Sequence, residues 1–243
     1  MATYVLVHGG WHGGWCWKKV TPLLRAAGHD VYAPTLTGLG ERVHLLTPAV
    51  GLETHVEDVL GVLRYEDLQQ VVLVGHSYGG IVITGVAERA ADRLAHLVYL
   101  DAFVPRDGQC LLDLVPPERA AATREQAKTT GDGWRVPPRP VEQFGVTAEA
   151  DLRWAGPKVG DQPRLTFEQP VHCASVASAA LPRTFIRCTE SAGSGFSATF
   201  AERVRADTSW RYRELATGHD AMITAPDALA DLLLEVTPVS VGT

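Results

Sequence analysis

Cysteine is scarce in this 243-residue chain, and its four copies, Cys16, Cys110, Cys173 and Cys188, show no CxxC or CxH spacing. Neither a zinc site nor a disulfide framework is suggested, so no metal and four free, mostly buried thiols are expected. Positive charge is also sparse. Lys and Arg number 22 against 28 Asp and Glu, for a formal net charge of −6, and Lys18-Lys19 is the densest basic pair. With no basic stripe to neutralise a phosphate backbone, nucleic acid is excluded as a partner. No apolar run approaches the ~18 residues needed to cross a bilayer, and MATYVLVHGG enters an apolar strand with no basic region before it. The expectation is a cytoplasmic protein with no membrane partner. Internal repeats and low-complexity tracts are missing too, which excludes fibrous and disordered classes.

What is present is 46% hydrophobic residues and 23 glycines. At this length roughly 75% of the chain's surface is buried on folding, enough for one core without staples. A single domain over 1–243 is expected. Short β-branched runs alternate with helical patterns, the signature of a parallel sheet with helices on both faces. The strands are expected at Tyr4–Val7, Asp30–Ala33, Val71–Val74, Leu97–Leu100, Thr184–Arg187 and Arg211–Leu215. Helices are expected over Trp15–Ala27, Leu52–Arg64 and Tyr78–Ala91. A last helix is capped by Thr224, opens on Pro226 and repeats Leu229, Leu232, Leu233 and Val236. The alternation lapses for about eighty residues after Leu100, too long for a structureless loop. A helical insertion over about 105–180 is expected there, with helices such as Pro117–Lys128 and Phe167–Ala180.

The strand VVLV runs into Gly75-His76-Ser77-Tyr78-Gly79-Gly80 and then into a small-residue helix. A serine at such a sharp strand-to-helix turn is exposed, and glycines on both sides avoid collisions with the adjoining elements. Ser77 is the candidate nucleophile. A serine needs a base, and Thr217-Gly218-His219-Asp220 follows the last strand, where His219 can reach it. Acyl transfer also needs donors aimed at an oxyanion. The N–H of Tyr78 supplies one, and the paired glycines of His8-Gly9-Gly10-Trp11 let the N–H of Gly10 supply the other. HGGWHGG lacks the GxGxxG spacing of a dinucleotide site. His8, His12 and His76 flank these loops and are expected to orient backbone, while His29, His44, His55, His96 and His172 read as structural.

LVHGGWHGGWCW, PLLRAAGHDVYAPTLTGLGER, VVLVGHSYGG, LVYLDAFVP and GHDAM together resemble the small α/β-hydrolases related to plant methyl-salicylate esterases and hydroxynitrile lyases, bacterial esterases above all. The resemblance is weakest over Gly108–Ala180, which in such enzymes forms the lid and substrate pocket. It implies the α/β-hydrolase fold, Ser77 as nucleophile, His219 as base and the Gly10 and Tyr78 N–H groups as the oxyanion hole. Two departures stand out. The lyases place a lysine after the histidine where this chain has Asp220, which disfavours lyase activity. The plant enzymes also place the triad aspartate just after the strand ending Cys188-Thr189-Glu190, where this chain has Ser191-Ala192-Gly193-Ser194-Gly195. Asp101 and Glu190 are the replacements. The expected strand order puts Asp101 at the same rim as the vacant position, whereas strand alternation turns Glu190 away, so Asp101 is the expected acid.

The reading that follows is hydrolysis of a carboxylic ester of a small apolar or aromatic substrate through an acyl-enzyme, without cofactor or metal. Trp11, Trp134, Phe144 and Trp154, with Phe167, are the expected pocket residues. A biosynthetic cyclase, lactonase or carbon–carbon-cleaving enzyme using the same triad, and a ligand receptor on the same scaffold, are the competing readings. A homodimer is compatible with the sequence.

Overall fold

The computed structural model describes residues 1–191 and 195–236. Eight strands occur among them. In chain order these are β1 Thr3–Val7, β2 Asp30–Tyr32, β3 Val71–His76, β4 Leu94–Leu100, β5 Arg135–Val136, β6 Gln162–Pro163, β7 Arg183–Cys188 and β8 Trp210–Leu215. Six of them form one sheet in the order β2-β1-β3-β4-β7-β8, and every neighbouring pair is parallel. Each of the six coincides with an expected run to within three residues at either end. β5 and β6 are an antiparallel pair outside that sheet, and the irregular insertion sequence held no sign of them.

The central strands are apolar on both faces because helices cover both. All six residues of β3 are buried. One side of the sheet packs Val5, Val7, Leu73 and Leu97 against Val56, Val59, Ile81 and Phe185. The other packs Tyr4, Leu6, Val72 and Val98 against Trp17, Leu24, Leu229 and Leu233. Alternate residues of one strand thus enter different cores, as the period of two requires.

Three helix expectations are corrected. Trp15–Ala27 is a 3₁₀ segment, Gly14–Lys19, followed by an α-helix, Thr21–Ala26. Pro22 in the first turn of that helix explains the break, since proline starts a helix and cannot continue one. Phe167–Ala180 is two single-turn helices, Leu165–Glu168 and Val176–Ala179. Pro170 holds Gln169 in extended backbone and so separates them. The last helix, Pro226–Glu235, is preceded by Ala225 rather than capped by Thr224. The Thr224 hydroxyl instead bonds the Asp220 carbonyl, closing the short helix Ala221–Thr224. Pro117–Thr130 forms as expected within the insertion. The four cysteines are free; Cys16, Cys110 and Cys188 are buried and Cys173 is half-buried. No helix among the described residues is long and apolar enough to cross a membrane.

Candidate active site

The site lies at the carboxyl ends of β1, β3, β4 and β8, where a parallel sheet leaves loops free to converge. Ser77 follows β3 with φ at +53°, in the left-handed region that a non-glycine residue adopts only under local constraint. Its backbone N–H donates to the Leu100 carbonyl at 3.1 Å and its own carbonyl accepts from the Phe103 N–H at 3.1 Å. The flanking glycines are dictated by contact: a Cβ on Gly75 would lie 2.5 Å from the Gly79 carbonyl oxygen, and one on Gly79 would lie 2.8 Å from that of Val7.

Asp101 follows β4 in the neighbouring position and also has positive φ, +41°. That turn, tied by the Asp101 N–H to the Ile186 carbonyl at 2.7 Å, carries a carboxylate with no solvent exposure. Its Oδ2 lies 2.6 Å from His219 Nδ1 and accepts from the Ser191 hydroxyl at 2.9 Å, while Oδ1 accepts from the Cys188 N–H at 3.3 Å. A carboxylate only accepts, so His219 Nδ1 carries the hydrogen and Nε2 is left unprotonated in the neutral ring. Glu190 is exposed, its N–H donating to the Thr217 carbonyl. Ala192, Gly193 and Ser194, part of the stretch where the resemblance implies an acid and the chain has none, lie outside the described residues.

Among the described residues neither the Gly10 nor the Tyr78 N–H meets a protein acceptor. The loop that carries Gly10 is fixed from several sides. His8 Nδ1 donates to the Gly9 carbonyl at 2.8 Å, and His8 Nε2 accepts from the Leu36 N–H at 3.1 Å. This pins one neutral tautomer. Burial lowers the His8 pKa to about 3. Trp11, at φ +65°, donates its N–H to Gln162 Oε1 at 2.9 Å and its indole N–H to the Val136 carbonyl at 3.0 Å. The β5-β6 pair thereby holds the loop from above. Behind His219, His76 Nε2 donates to the His219 carbonyl at 3.0 Å, and burial, with His219 and His12 nearby, pushes the His76 pKa down.

Ser77 and His219 share a cavity of about 370 Å³ with Gly10, Trp11, Tyr78 and Phe144. The apolar walls come from Phe103, Leu111, Leu112, Val115 and Phe167. Trp11 stacks on Phe144 with ring centroids 6.1 Å apart and meets Phe167 edge-on at 5.5 Å. Two expected pocket residues are elsewhere. Trp154 packs edge-on against Trp15 at 5.5 Å, with the Lys19 and Lys158 ammonium groups over its ring. Trp134 lies beneath the Arg135 guanidinium, 5.5 Å from its ring centroid. Both rings serve as platforms for surface cations, which satisfies an indole face without a ligand.

The sequence reading missed the polar wall. Arg119 and Arg139 line the same cavity, and Arg139 stands over the Trp11 ring at 5.8 Å. Burial lowers the pKa of both, and Arg139 adds to the effect on Arg119. Nothing in WRVPPRPVEQ marks the Arg139 guanidinium as inward-facing, because no helical or strand period runs through it, and Arg119 lies on the helix Pro117–Thr130, whose sequence has no clear apolar face.

The chain is similar to known proteins in sequence and fold. Residues 4–232 match the model of the alpha/beta hydrolase family. The carbendazim hydrolyzing esterase of Nocardioides sp. (strain SG-4G) is 42% identical over 243 residues, 96% of this chain and 98% of that protein. Methylesterase 1 of Arabidopsis thaliana is 39% identical over 104 residues, 42% of this chain and 40% of its own length. Among solved structures, an extracellular alpha/beta-hydrolase from a Paenibacillus species, described as homologous in structure and function to tobacco salicylic acid binding protein 2, superimposes with a TM-score of 0.82. It is 25% identical, over 97% of this chain and 98% of that one. With its parallel sheet, its strained serine after β3 and its histidine after β8, the chain belongs to the alpha/beta hydrolase family.

Proposed function

We propose that this chain hydrolyses a small, largely aromatic carboxylic ester through an acyl-enzyme on Ser77. It is a carboxylic ester hydrolase, in keeping with the esterase names of its relatives. Ser77 Oγ attacks the ester carbonyl while His219 Nε2 takes the hydroxyl proton. The oxyanion that forms is met by the Gly10 and Tyr78 N–H groups, aimed there by a rigid loop and a helix N-terminus. His219 returns the proton to the departing alcohol. Water then repeats the sequence on the acyl-enzyme. Asp101 fixes the His219 tautomer and stabilises the imidazolium.

The observation that carries this reading is the 2.6 Å contact between His219 Nδ1 and Asp101 Oδ2, which leaves Nε2 as the base in a cavity shared with Ser77. The cavity's size suits a drug-sized ligand or smaller. Its aromatic walls favour a flat apolar body, and the Arg119 and Arg139 side favours an acceptor group on the same molecule. The segment over 105–180 acts as the lid that sets this choice.

Turnover of a chromogenic aryl ester by the native chain and by Ser77→Ala tests the reading. Loss of turnover on substitution supports it, and equal turnover overturns it. Mass analysis of the products separates simple hydrolysis from cyclisation or carbon–carbon cleavage, which use the same three residues. Binding without turnover would point to a receptor.

A further inference from the structure

Directly after the catalytic histidine stands Asp220, which the mechanism does not use and which has no solvent exposure. Its Oδ2 lies 3.0 Å from Nε2 of His12, 208 residues away, and the His12 side chain is itself only 2% exposed. The other nitrogen of His12, Nδ1, lies 2.7 Å from the Gly10 carbonyl oxygen. Asp220 donates its own N–H to the Phe144 carbonyl at 2.9 Å.

The hydrogen-bond partners and the relative acidity of the two groups decide the charge. A neutral imidazole has one donor and one acceptor nitrogen, as His8 shows between the Gly9 carbonyl and the Leu36 N–H. Neither partner of His12 donates, because one is a carbonyl oxygen and the other a carboxylate. One hydrogen lies between Nε2 and the Asp220 Oδ2, and because a carboxyl is a much stronger acid than an imidazolium it sits on nitrogen, making the ring an imidazolium opposite an aspartate. Burial alone would discharge His12, but the Asp220 carboxylate and the Gly10 carbonyl outweigh it and hold its pKa above the ordinary value. Of the neighbouring titratable groups, His76 stands edge-on to His12 at 6.2 Å; its Nε2 lies 3.9 Å from Asp220 Oδ1, beyond hydrogen-bond reach, and gives its hydrogen to the His219 carbonyl. His8 is held neutral, and burial together with Asp220 pushes the Cys16 thiol up.

We propose that His12 and Asp220 form a buried imidazolium–carboxylate pair that clamps the oxyanion loop to the loop bearing the catalytic histidine. This rests on the serine hydrolase reading above only for its effect on rate. The pair joins two loops, the glycine loop after β1 and the loop after β8, whose relative placement sets the distance between oxyanion donors and base. A displacement of about 1 Å between such groups costs on the order of a hundredfold in rate. Asp220 and His12 are positioning residues, since neither touches the reacting atoms.

Two measurements test the clamp. In the native protein, ¹⁵N NMR of histidine-labelled chain at pH 7.5 should show both ring nitrogens of His12 protonated, and Asp220→Asn should return the ring to a neutral form. A neutral His12 in the native protein overturns the proposal, and this arm does not depend on esterase activity. In kinetics, Asp220→Asn and His12→Gln should each lower kcat about ten- to a hundredfold with KM changed less than about threefold, as expected for misplaced rather than missing groups. The double variant should be no worse than the poorer single one. Losses that multiply, or that fall on KM alone, overturn it. Should Ser77→Ala retain full turnover, the catalytic reading fails while the NMR arm still decides the pair. Should neither variant fold, the native spectrum decides.

Discussion

The imidazole of His219 and the carboxylate of Asp101 meet at 2.6 Å across 118 residues of sequence. They meet because β4 and β8 flank β7, and both strands end at the same rim of the sheet. Asp101 reaches the imidazole from a backbone in the left-handed region, and Ser77, one strand away, shares that conformation. The same backbone conformation is thus held at two adjacent strand ends, and Ser77 and His219 line one cavity.

Asp101→Asn should therefore lower kcat by up to about 10⁴-fold in a chain that still folds, because the amide cannot hold the Nδ1–H tautomer. Glu190→Gln should leave kcat within about twofold, since the Glu190 side chain is exposed while its backbone N–H holds the Thr217 carbonyl. Steady-state kinetics of the two folded variants on one ester provide the check, and the reverse ranking would hand the role to Glu190.

Substrate ranking should follow the cavity walls and ignore the outlying tryptophans. Phe144→Ala and Phe167→Ala should shift relative kcat/KM among aryl and alkyl esters by about 1–3 kcal/mol, and Arg139→Leu should penalise esters bearing an acceptor group. Trp134→Ala and Trp154→Ala should leave the ranking unchanged. A panel of aryl and alkyl esters, with and without an acceptor group, would show which set of residues moves it.

Two glycines touch where the insertion meets the histidine loop. A Cβ on Gly145, at φ +87°, would lie 2.6 Å from the Gly218 Cα. Gly145→Ala should destabilise the chain by about 1–3 kcal/mol, combining a forbidden φ with overpacking, and should lower kcat by displacing His219. Thermal melts beside kinetics would detect both. A variant with native stability and activity would refute the contact.

Stability should fall with acid from a pH well above the carboxylate range. Burial lowers the pKa of His8 to about 3, and those of His55 and His96 to about 4, while the unfolded chain titrates near 6.5. The unfolded state thus binds more protons below 6.5, and each ring removes about 1.4 kcal/mol per pH unit until its folded value is reached. His12 has the opposite sign. Its contribution is full below 6.5 and is lost as pH rises through its raised value. Urea midpoints at constant m between pH 7 and 4.5 should drop steeply, and a flat profile would contradict the neutral buried imidazoles.

How much of this was readable in the chain follows from the range of each signal. The central sheet strands were legible as short β-branched runs that enter two cores, the last, WRYREL, by its polar–apolar alternation, and the sharp turn at Ser77 was legible because strand, glycines and helix are contiguous. The place of Asp101 beside the histidine followed from the strand order. The inward turn of Arg139 and the place of Trp134 outside the cavity were not legible, because an aperiodic, proline-rich segment carries no rule for which face is buried. Arg119 and Trp154 stand on helices, Pro117–Thr130 and Glu149–Ala155, whose sequences do not say which neighbour each face meets. The His12–Asp220 pair was hidden for another reason, since nothing local links two residues 208 apart.

The central claim is that Ser77 carries the acyl group, and covalent capture tests it most directly. A fluorophosphonate should add one adduct per chain, mapped by peptide mass to Ser77, with activity lost in proportion to labelling and no adduct on Ser77→Ala. Labelling that persists at another residue in Ser77→Ala, with turnover intact, would contradict it.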